Sequence, residues 1–158
     1  MSISLILVDD HKIVRDGLRS LLKETPGMKV IAEAAEGRTA VRLARELSPD
    51  VVIMDVAMPD LNGIEATRKI KEESPNTKVI ALSMHSDKRF VSEMLSAGAS
   101  GYLLKDCAFE ELAGAVNTII AGKYYLSPSI TGVVVTDYVQ SLHEKRVSVF
   151  SILTARER

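Results

Sequence analysis

The sequence predicts an α/β fold: a doubly wound, five-stranded parallel sheet with helices on both faces. Three observations predict it. Short β-branched runs alternate with segments of helical apolar spacing, strand then helix, five times over. Four of those runs stop at a polar or charged residue. The run Val51-Val52-Ile53-Met54 is apolar throughout and ends at Asp55, as a strand covered on both faces must read. In such sheets the carboxyl edge of the strands is where sites form.

In chain order, Ile3 to Val8 is the first strand and stops at Asp9-Asp10. His11 to Glu24 follows as a helix, with Ile13, Val14, Leu18, Leu21 and Leu22 at helical spacing and Asp10 as a plausible N-cap. Thr25-Pro26-Gly27 stops it. Lys29 to Ala35 is a second strand. Gly37 to Leu47 is a second helix, with Ala40, Val41, Ala44 and Leu47 on one face. Ser48-Pro49-Asp50 breaks it ahead of the Asp55 strand.

Asn62-Gly63 is a turn signal, and Ile64 to Glu73 a third helix. Val79 to Leu82 is a strand ending at Ser83. Asp87 to Ala97 is a fourth helix, ended by Gly98. Gly101 to Leu104 is a strand ending at Lys105. Phe109 to Ala121 is a fifth helix, with Phe109, Leu112, Val116, Ile119 and Ile120 on its apolar face and Gly122 as its stop. Beyond it, Ser127-Pro128-Ser129 starts a further helix, followed at four-residue spacing by Ile130, Val134, Tyr138 and Leu142. The run Val133-Val134-Val135 pulls toward strand. His143 to Val149 reads as linker, and the last residues read as a cut rather than a natural end.

Composition excludes several classes. The chain has 158 residues, 26% charged and 46% hydrophobic, with a formal net charge of −1. No global basic field recommends nucleic acid or an anionic membrane as a direct partner. The apolar runs are too short to span a bilayer. The first run has no basic segment before it, so it reads as a strand rather than a signal peptide. One cysteine permits no internal disulfide. Together these point to a reducing, cytoplasmic setting.

Asp9, Asp10, Asp55, Ser83 and Lys105 thus converge on one edge. Any one of these aspartates alone is more simply a cap or turn residue, and Lys105 alone a solvated lysine. The joint placement on successive strand ends favours a site. Clustered carboxylates keep their charge best around a cation, and hard oxygen donors suit Mg²⁺. Carboxylates, Mg²⁺, a lysine and a serine make a phosphoryl-transfer site. No Gly-x-x-x-x-Gly-Lys loop is present, so a nucleotide is not the expected donor. A carboxylate can be the nucleophile. Asp55 ends the most apolar strand and is the candidate; Asp9 and Asp10 are better placed as metal ligands.

These segments together resemble a bacterial response-regulator receiver domain over Ile3 to about Gly122. The resemblance is carried by Val8-Asp9-Asp10-His11, by Asp55 to Gly63 (Asp-Val-Ala-Met-Pro-Asp-Leu-Asn-Gly), by Leu82-Ser83-Met84-His85, and by Gly98 to Asp106. It implies the flavodoxin-like strand order 2-1-3-4-5. It implies that Asp55 accepts a phosphoryl group from a histidine kinase, with Mg²⁺ held by Asp9, Asp10, Asp55 and the backbone carbonyl of Ala57. It implies that Lys105 pairs with the phosphoryl oxygens, that Ser83 bonds to them, and that Tyr102 changes rotamer in response.

Asp-Asp-His-Lys near the start, Ser-Met-His after the fourth strand and Leu-Thr-Ala-Arg-Glu-Arg at the end resemble the LuxR/NarL/FixJ subfamily, whose members carry a C-terminal helix-turn-helix. The expected organisation is a receiver at 1–122, a helical linker at 123–150, and the truncated start of a DNA-binding domain at 151–158. DNA would then be reached only through the missing part. A homodimer formed on phosphorylation is expected, through the fourth helix, last strand and fifth helix or through the tail helix.

Two other readings compete. An aspartate-nucleophile phosphohydrolase of the haloacid-dehalogenase kind needs a second Asp two residues after the first, where this chain has Ala57. A receiver-like module that is never phosphorylated fits poorly with a full set of site residues. Among the remaining residues, His11 reads as a surface position. His85 and the small Ala57 are candidates for setting how fast water reaches an aspartyl phosphate. Cys107 lies near a helix start, where a thiol's pKa can fall. The six methionines read as core filler, and the tail basics (Lys145, Arg146, Arg156, Arg158) are too mixed with Glu for a DNA patch.

Overall fold

Alternation along the strands builds two cores, one on each face of a single sheet. The computed structural model describes residues 2–84 and 86–156, with the backbone alone over 146–156. Its strands are β1 (Ile3–Val8), β2 (Met28–Ala34), β3 (Val51–Asp55), β4 (Lys78–Ser83), β5 (Gly101–Leu104) and β6 (Tyr125–Leu126). Its helices are α1 (Lys12–Lys23), α2 (Gly37–Leu47), α3 (Gly63–Glu73), α4 (Lys88–Ser96), α5 (Ala108–Ile120) and α6 (Pro128–Arg156), with a 3₁₀ turn at Lys105–Cys107 before α5. Ile6, Val8, Val52, Met54, Val79 and Ala81 face α2, α3 and α4. Their neighbours Leu5, Leu7, Val51, Ile53, Ile80 and Leu82 face α1 and α5. A period of two on strands covered on both sides requires apolar residues at every position.

All strands are parallel, in the order β2-β1-β3-β4-β5-β6. The predicted order of five is present, and β6 is an addition. After α5 the chain reverses at Gly122, whose φ of 87° needs the missing Cβ. Tyr125 and Leu126 then pair with Gly101 and Tyr102. Two residues are too few to show a strand period in the sequence.

Element positions otherwise follow the expectations to within a residue or two, with four differences. Asp10 does not cap α1: the N-cap residue is His11, without a side-chain cap bond. Ile13, at 87% exposed, lies outside the core, and Leu47, Phe109 and Ile120 of the expected apolar faces are also exposed, while Leu18 and Leu22 are buried. Met28, Met54, Met58 and Met94 are core residues, but Met84 is exposed beside Ser83. Finally, α6 continues through 143–149, where a linker was expected. No Gly or Pro follows Gly132 to stop it. Its Val133-Val134-Val135 run stays helical because Ile130 and Val134 pack into the α4-side core, a tertiary gain larger than a weak strand preference. Ser92 donates to Asp137 (3.1 Å) and Lys88 pairs with it (3.2 Å), which fixes α6 on α4.

Asn62-Gly63 is not a free turn. Asn62 caps α3 by accepting the Glu65 N–H at 3.0 Å. A Cβ on Gly63 would lie 2.1 Å from the Asp55 carbonyl oxygen. The glycine therefore lets α3 start against the end of β3 and sets where Asp55 emerges.

Two substitutions separate close approach from intrinsic propensity. Gly63→Ala should cost about 1–3 kcal/mol, because backbone must shift. Gly114→Ala, in mid-α5 with nothing within 4 Å of its added methyl, should stabilise by about 0.5–1 kcal/mol. Urea unfolding of the two variants checks both signs.

Candidate functional site

The chain's first crossover runs from β1 outward to β2, and the next returns past β1 to β3. Between β1 and β3 the winding therefore reverses. Such a reversal leaves a crevice beyond the strand ends. Asp9 and Asp10 follow β1, and Asp55 closes β3. Lys105 follows β5 and reaches back over the edge. Its Nζ lies 3.0 Å from Asp9 Oδ2 and 3.2 Å from Asp55 Oδ1. Asp9 and Asp55 are each 1% exposed.

The local chain dictates this aim. Asp9 Oδ1 accepts the His11 backbone N–H at 2.8 Å, which turns its side chain inward at the start of α1. Asp55 Oδ1 accepts the Ala57 N–H at 3.3 Å, while among the described residues no hydrogen-bond donor reaches the buried Asp55 Oδ2. Asp10 stays partly exposed and completes the acidic rim. Ligand atoms of Asp9, Asp10, His11 and Asp55 all lie within 4.8 Å of one another.

Three carboxylates facing one ammonium leave the cluster two negative charges in excess. The energetic consequence falls on Asp55. Burial, and then the Asp9 charge, push its carboxyl up to about 7, against the opposing pull of Lys105. Burial also disfavours the Lys105 ammonium, but the bond to Asp9 and the Asp55 charge outweigh it and hold its pKa above the ordinary value. A divalent cation fits this imbalance in charge and in donor type, and it would satisfy the orphaned Asp55 oxygen.

Ser83 ends β4 and is buried, in register with Leu104, the residue before Lys105. Tyr102 is fully buried in β5. Burial pushes its phenol up, and a bond to the Ser83 side chain pulls the other way. The structure thus brings Asp9, Asp10, Asp55 and Lys105 into one cluster and joins Ser83 to Tyr102 beside it. His85 lies outside the described residues.

Three residues differ from, or are missing in, the sequence reading. His11 lies at the surface as expected, its side chain 64% exposed, but its Nδ1 also comes within 3.0 Å of Asp9 Oδ1 and 3.2 Å of Asp10 Oδ1. Arg15 was not anticipated; it donates to the Asp9 carbonyl and pairs with Glu33 on β2. One helical turn beyond His11, it was legible only as a polar residue of α1. The Cys107 thiol is pushed up, not down, by burial and by Glu111, which leaves little thiolate for redox chemistry.

Residues 5–117 match the model of the response regulator receiver domain. The chain belongs to that family. DegU of Brevibacillus brevis, a transcriptional regulatory protein, is 37% identical over 142 residues, covering 90% of this chain and 60% of that protein. The response regulator GacA of Pseudomonas aeruginosa is 41% identical over 128 residues, 81% of this chain and 60% of that one. The chain thus spans about 60% of the length of these two relatives. A LuxR-family two-component response regulator from Aurantimonas sp. SI85-9A1 superposes with a TM-score of 0.83 at 40% identity, over 88% of this chain and 99% of that one. The receiver fold and LuxR/NarL-type kinship expected from the sequence are therefore present. Among the described residues no helix is long and apolar enough to cross a membrane.

The raised Asp55 pKa has a sign that can be measured. Between about pH 4 and 7 the folded, metal-free receiver keeps a proton that the unfolded chain releases. Asp55's contribution to stability is therefore greatest in acid and falls as pH rises to about 7. In chelator, Asp55→Asn should be more stable than wild type at about pH 8, by on the order of 3 kcal/mol. The gap should close toward pH 4. Urea titrations across that range check it.

Proposed function

We propose that this receiver is the phosphoacceptor part of a two-component transcription regulator, with Asp55 as the residue phosphorylated. One observation carries the reading: a buried carboxylate, with one oxygen lacking a donor among the described residues, sits at the sheet's carboxyl edge against a lysine it shares with Asp9. That is a nucleophile held in place with a cation beside it.

In the reaction, an Asp55 carboxylate oxygen attacks phosphorus of the kinase's phosphohistidine. The P–O bond forms as the P–N bond breaks, and the imidazole leaves with its electron pair. Asp9, Asp10, Asp55 and the Ala57 carbonyl would hold Mg²⁺, which supplies neutralisation of the phosphoryl oxygens. Lys105 then exchanges its bond to Asp55 for one to the new phosphoryl group. Ser83 supplies a hydroxyl to the same group, and Tyr102, already bonded to Ser83, follows it. The group adds about −1.5 to −2 charges, so only a rearranged pocket balances it. The domain regulates rather than turning over a substrate of its own.

The readout surface is α4, β5 and α5, continued by α6. On this reading the receiver occupies 1–122, a linker 123–150, and 151–158 opens a helix-turn-helix domain that carries the DNA contacts. A cytoplasmic location, a histidine-kinase partner and a homodimer in the phosphorylated state complete the proposal. Ala57 and His85 set water's access to the aspartyl phosphate.

The test is intact mass after incubation with phosphoramidate and Mg²⁺. One phosphoryl group should add to wild type and none to Asp55→Asn or to chelated protein. An adduct that persists in Asp55→Asn would contradict the assignment. In the same samples the adduct's lifetime should change in Ala57→Asn and His85→Ala, and light scattering should report a dimer only where the adduct is present.

A further inference from the structure

The tail helix α6 is held at two places by unlike chemistry. Its start is anchored: the Ser127 N–H donates to the Tyr102 carbonyl at 3.0 Å, and Ile130 is fully buried in the α4-side core. Its next turns rest on α4 through a polar clasp. Asp137 accepts from Ser92 Oγ at 3.1 Å and pairs with Lys88 Nζ at 3.2 Å, and Lys88 Nζ also donates to Gln140 Oε1 at 3.4 Å. The Lys88 and Asp137 side chains are 56% and 37% exposed, so water competes for both. At the clasp the two helices do not interlock. A groove of about 270 Å³ remains between Val91 and Leu95 of α4 and Val133 and Val134 of α6, room for several waters. Gly132 lies between anchor and clasp. In a helix interior glycine is the least favourable residue after proline, and a Cβ at this position would meet nothing within 4 Å. Packing therefore does not demand glycine there; what it supplies is a weak point in the helix.

We infer that α6 is a hinged cover on α4: Asp137 latches it, Gly132 lets it swing, and movement of the chain after Ser83 releases it. Ser83 closes β4, and Lys88 opens α4 on the far side of a short connection. Lys88 is itself half of the latch, so a shift of that connection pulls directly on Asp137. The anchor at Ser127 and Ile130 lies before the hinge and stays in place. Release then uncovers Leu95 and Val134, both only partly buried while the cover is shut. The contacts that hold it are solvent-exposed and polar, each worth a few-fold in an equilibrium, which is the strength a reversible latch needs. The trigger rests on the phosphoacceptor reading above; the latch and the hinge do not.

The experiment reads the α4–α6 distance by electron double resonance between spin labels at Glu93→Cys and His143→Cys, with the native thiol removed by Cys107→Ser. Without ligand a short-distance population should dominate. Asp137→Asn should raise the displaced, longer-distance fraction by about fivefold, and Lys88→Gln should act in the same direction. Beryllofluoride with Mg²⁺, as a phosphoryl mimic, should also raise it. Gly132→Ala should lower the displaced fraction by about fivefold under the same conditions, with beryllofluoride binding, followed by ¹⁹F NMR, unchanged. A distribution unmoved by both Asp137→Asn and Lys88→Gln overturns the latch. A displaced fraction unmoved by Gly132→Ala overturns the hinge. Bound beryllofluoride that leaves the distances unmoved overturns the trigger, and the phosphoacceptor reading stands. Absence of beryllofluoride binding counts against that reading and removes the trigger with it, while Asp137→Asn still decides the latch.

Discussion

The interaction on which the site depends is the pair of contacts from Lys105 Nζ to Asp9 and Asp55. Two carboxylates, each 1% exposed, could not both stay ionised at the end of a β-branched core without it. One ammonium does not balance three acidic groups. The deficit appears as an Asp55 carboxyl raised to about 7 and a buried Asp55 oxygen with no donor among the described residues. The apo pocket is thus held together and under-neutralised at once. On the proposed function a divalent ion would remove the deficit, and a phosphoryl group on Asp55 would re-create it with opposite demands on Lys105.

Distance is covered by the sheet itself. Lys105 follows directly on β5, and Tyr102 and Ser83 meet on the α4 side of the same edge. The start of α6 is tied to this strand: the Leu104 N–H donates to Ser127 Oγ at 3.2 Å, and the Ser127 N–H donates to the Tyr102 carbonyl at 3.0 Å. Glu111 accepts from both the Ser127 and Tyr125 hydroxyls, at 3.2 and 2.7 Å. The tail helix is therefore hydrogen-bonded to the residue preceding the lysine, and its later turns lie on α4. A movement of Lys105 has a short, hydrogen-bonded route to the start of α6.

Much of this was legible in the residues because each strand ends abruptly. Val51 to Met54 leaves no ambiguity about a buried strand, and Asp55 marks its end. The same logic gave Asp9, Ser83 and Lys105. Where the sequence reading missed, a tertiary contact decided the outcome. β6 exists through pairing with β5 and has no period of its own. Gly63 carries a turn signal, but its role is close approach to the Asp55 carbonyl. Ile13 satisfies a helical period and still faces outward, while Phe109 is saved from full exposure by lying over Gly17. His11 gave no signal beyond its adjacency to two aspartates. Its place among their oxygens depends on how the chain turns into α1.

The most direct test of the account is the ionisation of Asp55 itself, followed by ¹³C carboxyl NMR in metal-free protein and again with saturating Mg²⁺. The under-neutralised pocket predicts titration at about 7 without metal and a marked downward displacement when Mg²⁺ binds. An ordinary carboxylate titration at about 4 under both conditions would contradict it, because Asp55 would then be neither starved of charge nor responsive to the cation.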